Sequence, residues 1–520
     1  MRREPTYFIP SKGTDLDTEE NLALKYETVA EQTSAKPALT GTRKMDRSLL
    51  HSVAWNTIGD WTSQVLTWGA FLIVLRFVGP ADFGIAAMNV VLMPLAYTST
   101  LGIGRAVVML DLTDAQLSQL NTVGLALGLG SFTIAAALAW PVAWFFRIPR
   151  LAAVIVVSSL SFVMTGMQLV SQGIMMKELR FRTLSLLNAI AAVVAAVLQL
   201  LLAWSGWGYW ALVFGGLTGS LLRGAPLLWI RPQGYAVPRW HSVRRPLAFG
   251  GQVVVATAAT DGYESLDNFT AARVLGPRAL GLYGIAWTLA HIPVEKVTSV
   301  VTVVVPSYLV AVKDDLAAVR RYLRNLTESI ALITFPACVG LGIVAPEVVP
   351  FVLGRKWEGA IGPLEVLSIY AAFRSIVALI PKVLVALGNP RFVMWNSVAM
   401  LFVLGPSFYI GSHWGITGIA WAWVVAYPWV VLFMFRKVLA KIEMGLAEYL
   451  RALRPALEGT IIMALAVEWV GYAISSSRSL LFRVVLKIAT GIVVYAATLW
   501  LRHRQRVLAF VEMARRSRHG

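Results

Sequence analysis

Three acids, Asp261, Glu264 and Asp267, recur at every third position of a stretch that is otherwise almost entirely apolar and carries Gln252, Thr257 and Thr260 just before them. A carboxylate surrounded by hydrocarbon is costly unless it meets water or a partner, so such residues are candidates for function by default. Three-residue spacing puts the acids along one helical face. Ionised together they would repel, and this arrangement suits a site at which they share a proton, a cation or an opposing arginine. Asn56, Asp60 and Gln64, four residues apart, form a second polar face of the same kind. Four arginines, Arg76, Arg105, Arg273 and Arg374, lie within or at the ends of apolar stretches. A guanidinium keeps its charge there and pairs with oxyanions in a bidentate fork.

Other chemistry has no support in the residues. Six histidines (His51, His241, His291, His413, His503 and His519) have no metal-ligand spacing, and the single cysteine, Cys338, sits in an apolar stretch and excludes an intrachain disulfide. No phosphate-binding loop, GxSxG or HExxH is present. Gly102 to Gly104 follow no strand, and the Asp15 and Asp17 pair sits in a polar tail. No cofactor, metal or enzymatic activity is expected.

The elements that position these residues are membrane spans. Of 520 residues 57% are hydrophobic and 14% charged, and the mean hydropathy is +0.66, which excludes a soluble protein. A span needs about 20 apolar residues, and stretches of that length follow one another from residue 50 to 501. The expectation is an all-α polytopic protein with about 14 transmembrane helices. Spans are centred on 52–76, 83–104, 119–145, 152–175, 184–203, 208–229, 247–272, 280–304, 326–345, 362–386, 393–411, 415–435, 456–474 and 480–501. Residues 1–46 read as a disordered cytoplasmic tail, 47–235 and 236–437 as two six-helix bundles, 438–501 as a surface helix followed by the last two spans, and 502–520 as a basic cytoplasmic tail. A second surface helix is expected near 313–325. The net charge of +18 resides mostly in alternate loops and the tails, whereas the other loops hold only Arg147, Arg150, Arg273, Arg278, Arg355, Lys356 and Arg478. By the positive-inside rule both termini are cytoplasmic, and nucleic acid is not a partner.

RFVGPADFG at 76–84 and RVLGPRALG at 273–281 share Arg, Gly, Pro and Gly at equal spacing. WGYWAL at 207–212 and WGITGIA at 414–420, and the Arg-Phe pairs at 180–181 and 391–392, follow at similar offsets. Spans one to six therefore repeat as seven to twelve. Six is even, so the halves keep one orientation and are related by an axis along the membrane normal.

From residue 48 to about 436 the chain resembles the Wzx-type polysaccharide-biosynthesis flippases of the multidrug/oligosaccharidyl-lipid/polysaccharide exporter superfamily. The resemblance is carried by SLLHSVAWNTIGDWTSQVLTWGAFLIVLRFVGPADFG, LDNFTAARVLGPRALGLYGIAWTLAHIP, VVPSYLVAVKDD and, most specifically, APEVVPFVLGRKWEGAIGPLEVLSIYAAFRS with VALGNPRF. Gly354, Lys356 and Trp357 match the family's glycine, basic residue and tryptophan, and Asp267 matches its carboxylate. The resemblance implies a central cationic cavity and the transfer of an undecaprenyl-pyrophosphate-linked oligosaccharide to the outer leaflet. Arg76, Arg105, Arg273 and Arg374 are then the candidate substrate-binding residues, and Asp60, Asp261, Glu264 and Asp267 the candidate ion-coupling ones. A proton or sodium ion, membrane lipids, a polysaccharide polymerase and a chain-length regulator are the expected partners. Alternatives are a peptidoglycan-precursor flippase or a cation-coupled drug exporter, against which the Trp357 motif argues. From another class, a membrane-embedded glycan ligase or transferase is disfavoured by the short outward loops, and an assembly scaffold stays open.

Overall fold

A computed structural model describes residues 67–92, 95–96, 100, 102–312, 315–474 and 479–519. Asn56, Asp60 and Gln64 lie outside the described residues, as does the side chain of Asp261. The described residues are helical and contain no strand.

The helices are α1 (Thr67–Phe77), α2 (Pro80–Ala87), α3 (Ile103–Met109), α4 (Asp114–Phe146), α5 (Arg150–Lys177), α6 (Phe181–Trp204), α7 (Tyr209–Ile230), α8 (Trp240–Glu264) and α9 (Leu266–Thr270). They continue as α10 (Pro277–Ala311), α11 (Leu316–Val352), α12 (Ile361–Val377), α13 (Ile380–Ala386), α14 (Pro390–Ser412), α15 (Gly415–Lys441), α16 (Leu446–Ala473) and α17 (Leu480–His519). Ten candidate spans among the described residues are long and apolar enough to cross a membrane. This is a polytopic membrane protein.

Local chemistry sets the helix ends. Thr113 and Gln116 form a capping box at the start of α4, and the Asp315 side chain accepts the Ala318 N–H at the start of α11. Proline opens α2, α10 and α14, where its missing N–H costs nothing. Neighbouring helices pack in sequence, α4 on α5, α6 on α7, α11 on α12, α14 on α15 and α16 on α17. Helix α17 is also held to α11 by Glu347, whose buried carboxylate accepts from Arg483 (2.7 Å) and Lys487 (2.8 Å).

Several expectations are corrected. Among the described residues the expected surface helices are not separate elements. Helix α11 runs 37 residues, about 55 Å against a hydrocarbon thickness of about 30 Å, so residues 316–325 are its own protruding turns. Arg320 in those turns donates to the Ile442 carbonyl at 2.9 and 2.7 Å, docking them against the connection between α15 and α16. Residues 446–454 likewise open α16. The second span is interrupted by a 3-10 turn at Met88–Leu92 and by Gly102 in the left-handed region. The seventh is interrupted at Ser265, between α8 and α9, and ends in a π-helical turn, Ala271–Leu275. The basic tail continues α17 to His519 past a kink at His503.

The two repeat segments touch. A Cβ on Gly84 would overlap the Pro277 carbonyl, and one on Gly281 the Pro80 carbonyl, so α2 and α10 cross at backbone contact. Only glycine permits that approach. A second backbone contact lies at Gly102, which meets the Gly250 backbone, with Ile103 and Val107 in one apolar cluster with Val243.

Candidate functional site

The break at Ser265 decides the geometry of the acids. A continuous helix would keep Glu264 and Asp267 on one face. Here Glu264 closes α8 and turns to Arg374 of α12, whose Nη2 donates to its Oε1 at 2.6 Å. Both side chains are about a quarter exposed, at 26% and 23%. Arg374 Nη1 also donates to the Tyr370 hydroxyl at 3.2 Å, and Tyr427 packs edge-on against Tyr370. Two of the residues expected at a site, Glu264 and Arg374, are thus brought together as an ion pair within the membrane.

Asp267 goes elsewhere. It is fully buried and accepts three hydrogen bonds: from the Tyr283 hydroxyl of α10 (2.8 Å) and Trp423 Nε1 of α15 (3.0 Å) on Oδ2, and from the Asn268 N–H (2.6 Å) on Oδ1. Trp423 Nε1 also lies 3.2 Å from the Tyr283 hydroxyl. All three donors are neutral, and Asp267 joins α9, α10 and α15 through them. The expectation of one continuous acidic face is overturned at this point: the bend sends the two acids to different partners. The rings of Trp287, Tyr370 and Trp423 pack together beside it, and His291 stacks on Trp287 at 4.1 Å with Nδ1 on the Trp287 carbonyl. Among the described residues no group of three His, Cys, Asp or Glu is placed to hold a metal ion.

The four arginines do not converge, and no two of them share a partner. Arg76, at the end of α1, donates Nε to the Val352 carbonyl at 2.8 Å and Nη2 to the Phe351 carbonyl. Arg273 lies over the Phe145 ring, 4.7 Å from its centroid. Arg105 is exposed on α3. Tyr283 and Trp423, which hold Asp267, were not singled out by spacing, because they are 16 and 156 residues away. Their one signal in sequence is a hydrogen-bonding aromatic in the middle of a span, where such a head group needs a partner.

The helical spans and the intramembrane charges define a polytopic membrane protein. Residues 73–362, more than half of the chain, match the polysaccharide biosynthesis protein family, and the chain belongs to that family. It is 25% identical over 379 residues to an uncharacterised membrane protein in the cps region of Klebsiella pneumoniae, covering 71% of this chain and 78% of that one. It is 25% identical over 350 residues to the lipopolysaccharide biosynthesis protein WzxC of Escherichia coli, covering 66% and 70%. Among solved structures the lipid II flippase MurJ, in an inward closed conformation, superposes with a TM-score of 0.69 at 17% identity, over 87% of this chain and all of that one.

Proposed function

We propose that the protein is a flippase that carries an undecaprenyl-pyrophosphate-linked oligosaccharide across the bacterial inner membrane, with both termini in the cytoplasm. The observation that carries the reading is the pair of contacts between the halves, at the Gly-Pro turns and at Gly102 with Gly250, in a member of the polysaccharide biosynthesis family. Two halves that meet at two separate contacts can part at one while the other holds, which is alternating access. In this reading residues 47–235 and 236–437 are the moving halves, and the last two spans lie outside them. Arg374, partly exposed, is the first candidate for the substrate's diphosphate, and Arg105, exposed on α3, is a separate candidate away from it. Asp267 is the first candidate for a coupling proton, followed by Glu264; Asp60 and Asp261 keep that role as proposals. A polymerase and a chain-length regulator are the partners that would consume the product.

The test is reconstitution into vesicles with a polyprenyl-diphosphate oligosaccharide labelled on the sugar. Wild type should expose the label to an impermeant enzyme on the far side, and vesicles without protein should not. Equal exposure in both would overturn the proposal.

A further inference from the structure

The turn face carries more than the glycine contact. Helix α1 ends at Phe77, where its last carbonyls lack helical partners, and such carbonyls carry the negative end of the helix dipole. Two donors from the other half supply the bonds: Trp357 Nε1 donates to the Leu75 carbonyl at 2.9 Å, and Lys356 Nζ to the Arg76 carbonyl at 2.8 Å. The exchange is reciprocal. Helix α11 ends at Val352, and its Phe351 and Val352 carbonyls accept from the Arg76 guanidinium. Each half thus ends a helix whose carbonyls are capped by a cation of the other.

The repeat extends the pattern. Arg273, equivalent to Arg76, reaches the C-terminal end of α4 and covers Phe145, while Arg76 reaches the C-terminal end of α11. Helices α4 and α11 are the third spans of their halves. Both repeat arginines therefore reach the C-terminal end of a third span in the opposite half. Phe83 of α2 closes the middle, its ring 5.9 Å from that of the fully buried Trp357, and Leu282 of α10 lies against Gly359.

These bonds are of a kind that water can replace. Arg76 and Lys356 are exposed, so their donors and the carbonyls they leave can be solvated when the halves part. The face is held by the backbone crossing of α2 and α10, by the apolar packing around the Trp357 indole, and by these few hydrogen bonds between the halves. We propose that Arg76, Arg273, Lys356 and Trp357 form a pseudo-symmetric lock that closes the turn face and is released once in each transport cycle, rather than a binding site for the substrate. This rests on the flippase reading for the word cycle, but the lock itself is a property of the two halves.

The experiment keeps the two apart. Spin labels are placed on cysteines introduced at exposed positions beside the glycine contact, Ala81→Cys and Arg278→Cys, in a Cys338→Ala background, and the distance between them is measured by pulsed electron resonance. With the lock intact a short distance should dominate. Trp357→Phe, which keeps the ring packing and loses the N–H, and Lys356→Gln should each raise a longer-distance population roughly three- to tenfold, the effect of one net hydrogen bond. Two variants guard against one that fails to fold. An unchanged distance distribution in both variants would overturn the lock. If neither variant nor wild type moves labelled lipid while the distances shift as expected, the flippase reading fails and the lock stands.

Discussion

Glu264 and Arg374 are two candidate site charges that meet among the described residues, and the exposure of the pair sets what it is worth. A fully buried pair that loses one partner costs about 3–5 kcal/mol, because the survivor stays charged in a poor solvent. With a quarter of each side chain exposed, the cost should fall below that range. Arg374→Ala should lower the melting temperature by stranding Glu264, and Glu264→Gln with Arg374→Met should recover most of the loss, since it removes both charges. A double variant as unstable as the single one would show that Arg374 acts through Tyr370 and its packing instead. The pairing was legible only in part. An arginine opposite the acids was expected, but which acid it would meet depended on the bend at Ser265. There the Ser265 N–H reaches back to the Gly262 carbonyl at 3.4 Å, in place of the regular helical bond. Serine marks such a bend far less clearly than proline or glycine does.

At the scale of elements, α2 and α10 are set by their glycines. Gly84→Ala puts a methyl group into the Pro277 carbonyl, which is backbone and cannot turn aside. Overpacking of this kind costs about 1–3 kcal/mol. Gly130 of α4 meets nothing within 4 Å, and Gly130→Ala should gain up to about 1 kcal/mol of helix propensity. Thermal unfolding in detergent should therefore move in opposite directions for the two variants; a parallel shift would mean that the crossing at Gly84 has room to relax. The glycines of this crossing were readable because a tight crossing demands one residue type at a fixed spacing. The lock at Arg76 was not, since a cation at a span end reads equally well as a ligand for an anion or as a cap for a distant helix. Its partners, the last carbonyls of α11, are 275 and 276 residues away and are backbone groups that carry no sequence signature.

For the whole molecule the flippase reading asks what drives transport. In that reading an ion or substrate gradient would supply the energy, and Asp267 ties α9, α10 and α15 together. Of its three donors the Trp423 and Asn268 N–H groups can only donate, whereas a tyrosine hydroxyl can also accept. A proton arriving on Oδ2 would be accommodated by Tyr283, whose hydroxyl turns its own hydrogen away and accepts. Protonation would then reverse one bond between α9 and α10 and leave the link to α15 in place, a local change able to bias how these helices sit. Inward proton flow would be coupled to outward movement of substrate. An imposed pH gradient across reconstituted vesicles should accelerate flipping by wild type. Tyr283→Phe should abolish that dependence while retaining slow, gradient-independent flipping. Asp267→Asn should do the same at lower stability, because its amide must set an N–H against one of the N–H donors now facing the carboxylate. If wild type flips equally fast with and without the gradient, or if both variants keep the full dependence, Asp267 is a structural joint between helices and the coupling ion must act elsewhere.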